Sequence, residues 1–220
     1  METKVVVSSK REIAAIEALT ILQFHIASCV SRKEMFTVGK IFQPTPGLKK
    51  RSSTLDKLHS YPFIPLRPDI ILSELIFAIE LLTGKFGRDS WTKAPKFLDA
   101  GCGPGNIMLL AGACGFNPYG IELDTEAIEH AKHFNPYYRN ISRRNILTYK
   151  DYGKFDVVYY YCPINGPKQT NFEELVEDTM KVGAILLPHL KKSRRIIDDE
   201  RFKRLEKTPS TIPLYMKVAE

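Results

Sequence analysis

The feature that most constrains this chain is a seven-residue turn, Asp99-Ala100-Gly101-Cys102-Gly103-Pro104-Gly105. The apolar run Lys96-Phe97-Leu98 leads into it, and Asn106-Ile107-Met108-Leu109-Leu110-Ala111 leads out. Glycine has no Cβ, so three alternating glycines let the backbone turn sharply and lie against a ligand. The helix that starts at once offers unpaired N–H groups and the positive end of its dipole. Downstream, strand patterns over 96–100, 118–122, 137–142, 155–161 and 182–187 alternate with helix patterns near 104–114, 124–133 and 170–180. That alternation predicts a parallel sheet with helices on both faces. Segments 201–207 and 213–219 flank Thr-Pro-Ser-Thr-Ile-Pro and read as a terminal antiparallel hairpin.

The chain before Lys96 reads differently. Ala15, Leu19, Leu22, Ile26 and Cys29 form one apolar stripe in a Pro- and Gly-free stretch over Lys10–Met35, a helix pattern. Pro44, Pro46, Gly47, Pro62, Pro65 and Pro68 then punctuate residues 37–68, which reads as irregular chain holding the basic run Lys49-Lys50-Arg51. Ile71, Leu72, Leu75, Ile76, Ile79 and Leu82 recur at helical spacing, with Gly84 as the stop, and predict a helix over Asp69–Thr83. The expected division is a helical or irregular extension over 1–95, serving as lid or recognition segment, and a ligand-binding domain over 96–220.

A net charge of +7, mostly from residues 1–95, favours an anionic partner. The apolar-rich stretch Ile13–Val30 is broken by Glu17, Gln23 and His25 and is short for a membrane span, so no membrane partner is expected. The four cysteines, Cys29, Cys102, Cys114 and Cys162, form no C-x-x-C pair, so reduced thiols in a cytoplasmic setting are expected. The histidines give no metal-binding set: His130 and His133 share a helix face but lack a third ligand.

The pattern D-x-G-x-G-x-G resembles motif I of the class I, Rossmann-like, seven-stranded S-adenosylmethionine (SAM)-dependent methyltransferases. A dinucleotide fingerprint wants glycine where Asn106 stands. The resemblance covers about Lys96 to Leu187 and, more loosely, the final hairpin. It implies an α/β, Rossmann-like, mostly parallel sheet with a C-terminal antiparallel hairpin, preceded by a helical N-terminal extension. It also implies SAM as cofactor, held by Asp99, Gly101, Cys102, Gly103 and Gly105, and by Glu122 with Leu123 at the end of the next strand. An acid at that place in the family accepts hydrogen bonds from both ribose hydroxyls. Asp124, two residues on, reads as the cap of the following helix. The family often carries an acid at the position of Asn145, accepting from the adenine amino group. Asn145 retains a carbonyl for that bond or serves as a turn residue, and Ile146 offers its N–H to the adenine edge. The stretch Tyr61–Arg67 is suggested as a fold-over segment.

Ligands of open α/β sheets sit beyond the carboxyl ends of the strands. This places Tyr160, Tyr161, Cys162 and Pro163 at the methyl group as pocket-lining candidates, with Asn165 and His189 nearby. Methyltransferases acting on exocyclic amines resemble one another in D/N-P-P-Y/F here, and Y-C-P-I departs at three positions. Cys162 precedes Pro163 instead of following it and has no partner motif, so it reads as a structural thiol before a nucleophile. Lys191 to Arg195, followed by Asp198, Asp199 and Glu200, read as a solvated face first and a docking patch second. The function expected is methyl transfer from SAM to a macromolecule, either a protein side chain such as lysine or a nucleic acid. The alternatives are a non-catalytic SAM- or nucleotide-binding module and, further off, a nicotinamide or flavin oxidoreductase.

Overall fold

The computed structural model describes residues 68–86, 93–133 and 135–220. The expected helix over Lys10–Met35, the basic run Lys49–Arg51 and the Tyr61–Arg67 segment lie outside the described residues. Helix α1 spans Pro68–Phe86 and precedes β1 (Lys96–Ala100), α2 (Asn106–Ala113), β2 (Asn117–Glu122) and α3 (Thr125–Ala131). Then come β3 (Ile141–Arg143), β4 (Val157–Tyr161), α4 (Pro167–Thr179), β5 (Ile185–His189), β6 (Phe202–Arg204) and β7 (Tyr215–Lys217).

The seven strands form one sheet in the order β3-β2-β1-β4-β5-β7-β6. The pairs β1–β2, β1–β4, β2–β3 and β4–β5 are parallel, and β7 runs antiparallel to both β5 and β6. The mostly parallel sheet and the terminal hairpin are therefore both present. The order reverses between β1 and β4, which opens a crevice at the carboxyl edge beside the glycine turn.

The period of two along each strand sorts the core into two clusters. Phe97, Val157, Tyr159, Ile185 and Leu187 face α1 and α2, where Ile71, Leu75, Ala78, Ile79 and Leu82 pack on them. Leu98, Val158, Tyr160 and Leu186 face the other way, against Phe172, Val176 and Met180 of the α4 side. Helix α1 thus belongs to the same core as the sheet. Truncating Leu75 there would cost about 2–5 kcal/mol. Buried Lys217 donates to the carbonyls of Asp178 (3.2 Å) and Met180 (2.9 Å), satisfying acceptors at the end of α4.

The third strand departs from expectation. The aromatic run near 137–142 reads as a strand, but residues Tyr138–Asn140 form a 3-10 turn and only Ile141–Arg143 pairs with β2. The cause is Asn135. Its Oδ1 accepts from Tyr137 N (2.9 Å), and its Nδ2 donates to Pro104 O and Gly105 O (3.2 and 3.0 Å). A side chain bonded to the local backbone outcompetes the ladder there.

Candidate functional site

The glycine turn is tied down from both sides. Gly101 N and Cys102 N both donate to Ile121 O of β2 (2.8 and 3.0 Å), and Gly105 N donates to Cys102 O (2.9 Å). Gly101, Gly103 and Gly105 have φ of 84, 54 and 82°, a region that L side chains rarely adopt. At Gly105 a Cβ would also collide with Asn135 Nδ2, and at Gly101 it would lie 2.6 Å from the Cβ of Pro163. The β4 tip therefore closes directly on the glycine turn, and motif and tip form one site.

Glu122 ends β2 as expected. Its Oε2 accepts from Gly103 N (2.8 Å), and its Oε1 from Leu123 N (2.6 Å) and Asp124 N (2.8 Å). A carboxylate offers about four acceptor sites, so one place on Oε2 remains. Burial raises the Glu122 carboxyl above its usual range, opposed by these three N–H groups. Leu123 is exposed at the strand tip. Asp124 caps α3 through Glu126 N (2.9 Å), the capping role read from the sequence.

Asp99 is 3% exposed, and its Oδ2 has no hydrogen-bond partner among the described residues. Burial, and then the charge of Glu122, push its carboxyl well above the usual range. Asn106, the first residue of α2, is 8% exposed and its Oδ1 is likewise without a partner. The sequence singled out Asn106 only as a missing glycine. Buried polar atoms are paired as a rule, so two orphans flanking one turn point to a ligand there. Cys102 lies beneath the turn, with its thiol donating to Gly103 O (3.4 Å). Burial, Asp99 and Glu122 raise it well above the usual range.

The remaining candidates divide by strand parity. Tyr161 is half-buried at the end of β4, stacked on His189 with rings 5.7 Å apart and 23° from parallel. Tyr160 is fully buried on the opposite face, edge-on to Phe172 at 5.1 Å, and does not line the crevice. Alternation along the strand sends the two neighbours to opposite faces, which a shared place at the tip conceals. Cys162 is buried, with φ of 36° and its thiol 3.8 Å from Ile164 O, which matches the structural-thiol reading. Asn145 Oδ1 accepts from Leu147 N (3.0 Å), a turn role that leaves one lone pair, and the side chain is exposed. Ile146 is buried in the α4-side core.

Two buried polar groupings escaped the sequence. Glu74 of α1 is fully buried. It meets His189 Nε2 at 2.8 Å and accepts from Ser210 Oγ at 2.5 Å. Its signal was a carboxylate on the apolar stripe, three residues after Ile71 and four before Ala78. On α4, buried Gln169, Glu173 and Glu177 recur at intervals of four. Gln169 Oε1 accepts from Ile164 N (3.1 Å). Glu173 accepts from Gln169 Nε2 (2.7 Å) and from the backbone N–H groups of Lys192 and Ser193. These side chains fasten the chain leaving β4 and β5. Among the described residues no His/Cys/Asp/Glu cluster could hold a metal, and no helix is long and apolar enough to cross a membrane.

A seven-stranded sheet of this order, with a glycine turn after β1 and an acid ending β2, defines the Rossmann-like fold of the class I SAM-dependent methyltransferases. Curated relatives of the chain are methyltransferases by name. The chain is similar to the ribosomal protein L11 methyltransferase of Paraburkholderia phymatum, 30% identical over 127 residues that cover 53% of this chain and 41% of that protein. A second, from Paraburkholderia phytofirmans, is 54% identical over 37 residues, 16% of this chain and 12% of that one. The chain thus spans less than half the length of the curated relatives it matches. Among solved structures it is similar to an RNA methyltransferase from Salinibacter ruber in complex with S-adenosylhomocysteine. That likeness has a TM-score of 0.49 and 17% identity, over 71% of this chain and 95% of that one. No family model matches the chain.

Proposed function

We propose that the chain binds SAM at the carboxyl edge of its sheet and transfers the methyl group to a macromolecular acceptor. The observation that carries this reading is the glycine turn itself, clamped to Ile121 and Glu122 on one side and covered by Pro163 on the other. The residues fit a nucleoside cofactor that bears positive charge. Glu122 Oε2 keeps one acceptor place for a ribose hydroxyl. Buried Asp99 keeps one carboxyl oxygen unpartnered beneath the turn, and Asn106 supplies a second acceptor without a partner among the described residues. Leu123, Asn145 and Ile146 are assigned to the adenine side, with Gly101, Cys102, Gly103 and Gly105 providing the close backbone approach.

When bound, SAM supplies a methyl group activated by its sulfonium. The protein's share is then alignment and exclusion of water. Pro163 and the ring of Tyr161 form the wall on the acceptor side. Burial, and then Cys162, raise the Tyr161 hydroxyl above the usual tyrosine range, so at neutral pH it keeps its proton. His189 is 1% exposed and committed to Glu74, which leaves it a support behind Tyr161 and not a base at the mouth. Methyl transfer from a sulfonium needs a general base only if the acceptor arrives protonated.

Isothermal titration with S-adenosylhomocysteine tests the cofactor half: binding is expected, and no heat at millimolar ligand refutes it. Transfer of tritiated methyl to a cell extract tests turnover, with protease and nuclease digestion reporting the class of acceptor. The Paraburkholderia relatives, by their names, act on a ribosomal protein, which supports a macromolecular acceptor in a cytoplasmic setting.

A further inference from the structure

Exposed cations lie at both ends of the sheet, but among the described residues the exposed carboxylates are concentrated at the amino end, where Glu129, Asp151, Asp178, Asp198 and Glu200 stand. At the amino edge and along the flanks several cations are paired, Lys181 with Asp156 (2.6 Å), Lys154 with Asp151 (2.9 Å), Lys132 with Glu129 (2.7 Å), and Arg195 and Arg201 with Asp178 (2.9 and 3.0 Å), while exposed Lys96, Arg139 and Lys150 have no ion-pair partner among the described residues. The acidic block Asp198–Glu200 lies just before β6, at the same amino edge. At the carboxyl edge Lys191 pairs with Glu177 (2.7 Å), but six other cations stand with few acids among them. Arg143 ends β3 and Arg144 follows it, Lys168 lies in the first turn of α4, Lys192 follows β5, and Arg204 ends β6 with Lys207 just after. All six are exposed, and none has an ion-pair partner among the described residues.

The carboxylates near that edge are mostly consumed. Glu122 takes three backbone N–H groups, Asp124 caps α3, Glu74 holds His189 and Ser210, and Glu173 holds the Lys192–Ser193 backbone. Among the described residues, the exposed carboxylates there are Glu126 and Glu206. From β3 to β5 the edge crosses four strand intervals of about 4.8 Å, so the cations flank the crevice over about 19 Å.

An aromatic ring stands within this span. Tyr161 is half-exposed, backed by the stacked ring of His189 (23°, 5.7 Å), and His189 is fixed by fully buried Glu74 at 2.8 Å. A held ring flanked by free cations is the composition that binds single strands, with phosphates meeting the cations and a base stacking on the ring. A cationic lysine side chain would meet a mouth of its own sign.

We propose that the acceptor bound at this edge is a single-stranded nucleic acid, its backbone running past Arg143, Arg144, Lys168 and Lys192 and one base stacked on Tyr161. The methylation of that strand rests on the methyltransferase reading; its binding does not.

The test is fluorescence anisotropy of a labelled oligouridylate of about 20 nucleotides with the full chain, titrated at several KCl concentrations. With four phosphate contacts the log–log salt slope is about −3. The double reversal Lys168→Glu/Lys192→Glu should weaken binding roughly tenfold at about 50 mM KCl and flatten the slope by about 1.4. It should leave S-adenosylhomocysteine affinity within about twofold, since neither residue touches the nucleoside side. Tyr161→Ala should cost about fivefold or more, while Tyr161→Phe, which keeps the stacking face, should bind as wild type. The proposal is overturned by no RNA binding at low salt, by binding indifferent to the rim reversal, or by an acidic peptide such as oligoglutamate binding tighter than the RNA. If the RNA binds as described and S-adenosylhomocysteine does not, the methyltransferase reading falls and this surface stands. If S-adenosylhomocysteine binds and the RNA does not, this surface falls alone.

Discussion

Replacing Gly101 by alanine separates the two demands that the site places on its backbone. At φ of 84° the new side chain meets left-handed strain, which costs about 1–2 kcal/mol. Its Cβ would also lie 2.6 Å from Pro163 Cβ, and such overpacking costs about 1–3 kcal/mol more. The sum is about 2–5 kcal/mol, or roughly 5–15 °C in melting temperature for a chain of this size. Gly115 is the internal reference: its φ is 97°, but an added Cβ there meets nothing within 4 Å. Gly115→Ala should therefore show the strain alone, a loss of about 1–2 kcal/mol. Thermal melts followed by circular dichroism measure both, and the double mutant Gly101→Ala/Pro163→Gly completes a cycle. Its coupling should return about 1–3 kcal/mol, since the glycine removes the colliding Cβ. Equal losses at positions 101 and 115, or zero coupling to Pro163, would falsify the claim that the β4 tip closes on the glycine turn.

Three further outcomes follow from the buried polar groups. Asp99→Asn should raise the melting temperature at neutral pH and leave it unchanged in acid. The folded carboxyl is raised by burial and by Glu122, so wild type loses stability as pH climbs from the unfolded value of about 3.9 toward the raised folded one. A melting-temperature gap that does not widen with pH above about 4 refutes this. Tyr160→Phe removes a buried hydroxyl without a partner among the described residues and should be neutral or stabilising by about 1 kcal/mol in urea unfolding. A clear loss would reveal a partner the structure does not record. Glu74→Ala leaves buried His189 and half-buried Ser210 without their acceptor and should cost about 1–3 kcal/mol for each group stranded, with His189→Ala also destabilising and the pair less than additive. Additive losses in the double mutant would mean the two side chains do not act together.

Much of the architecture was legible because it rests on local rules. The Asp99–Gly105 turn, the return to Glu122 and the apolar stripe of α1 each follow from spacing along one element. Each sits within a few residues of its expected place. The third strand was misjudged because a single polar side chain, Asn135, captures the local backbone and the loop after Gly103 together. Nothing in the aromatic run Tyr137–Tyr138 announces that. Tip position alone puts Tyr160 at the mouth, but its side chain is buried on the α4 face. The period of two, applied from Phe97 and Leu98 through their register partners Val157 and Val158, would have sent it to the α4 face.

What the sequence concealed was polarity inside apolar stripes. Glu74 lies on the stripe of Ile71 and Ala78, and Gln169, Glu173 and Glu177 line the buried face of α4 beside Phe172 and Val176. Periodicity reads such positions as solvent-facing, because a carboxylate at a core position is costly until its partners are known. Those partners come from far along the chain: His189 and Ser210 for Glu74, the Lys192–Ser193 backbone and Lys191 for Glu173. The same groups fasten the chain leaving β4 and β5, where an acceptor would arrive. Helix α1 reaches Tyr161 through Glu74 and His189, so a change in α1 is felt at the mouth. A carboxylate in an apolar stripe upstream of a glycine turn is thus a sequence signal for a strand tip fixed from behind, and the Glu74 and His189 variants measure how firmly.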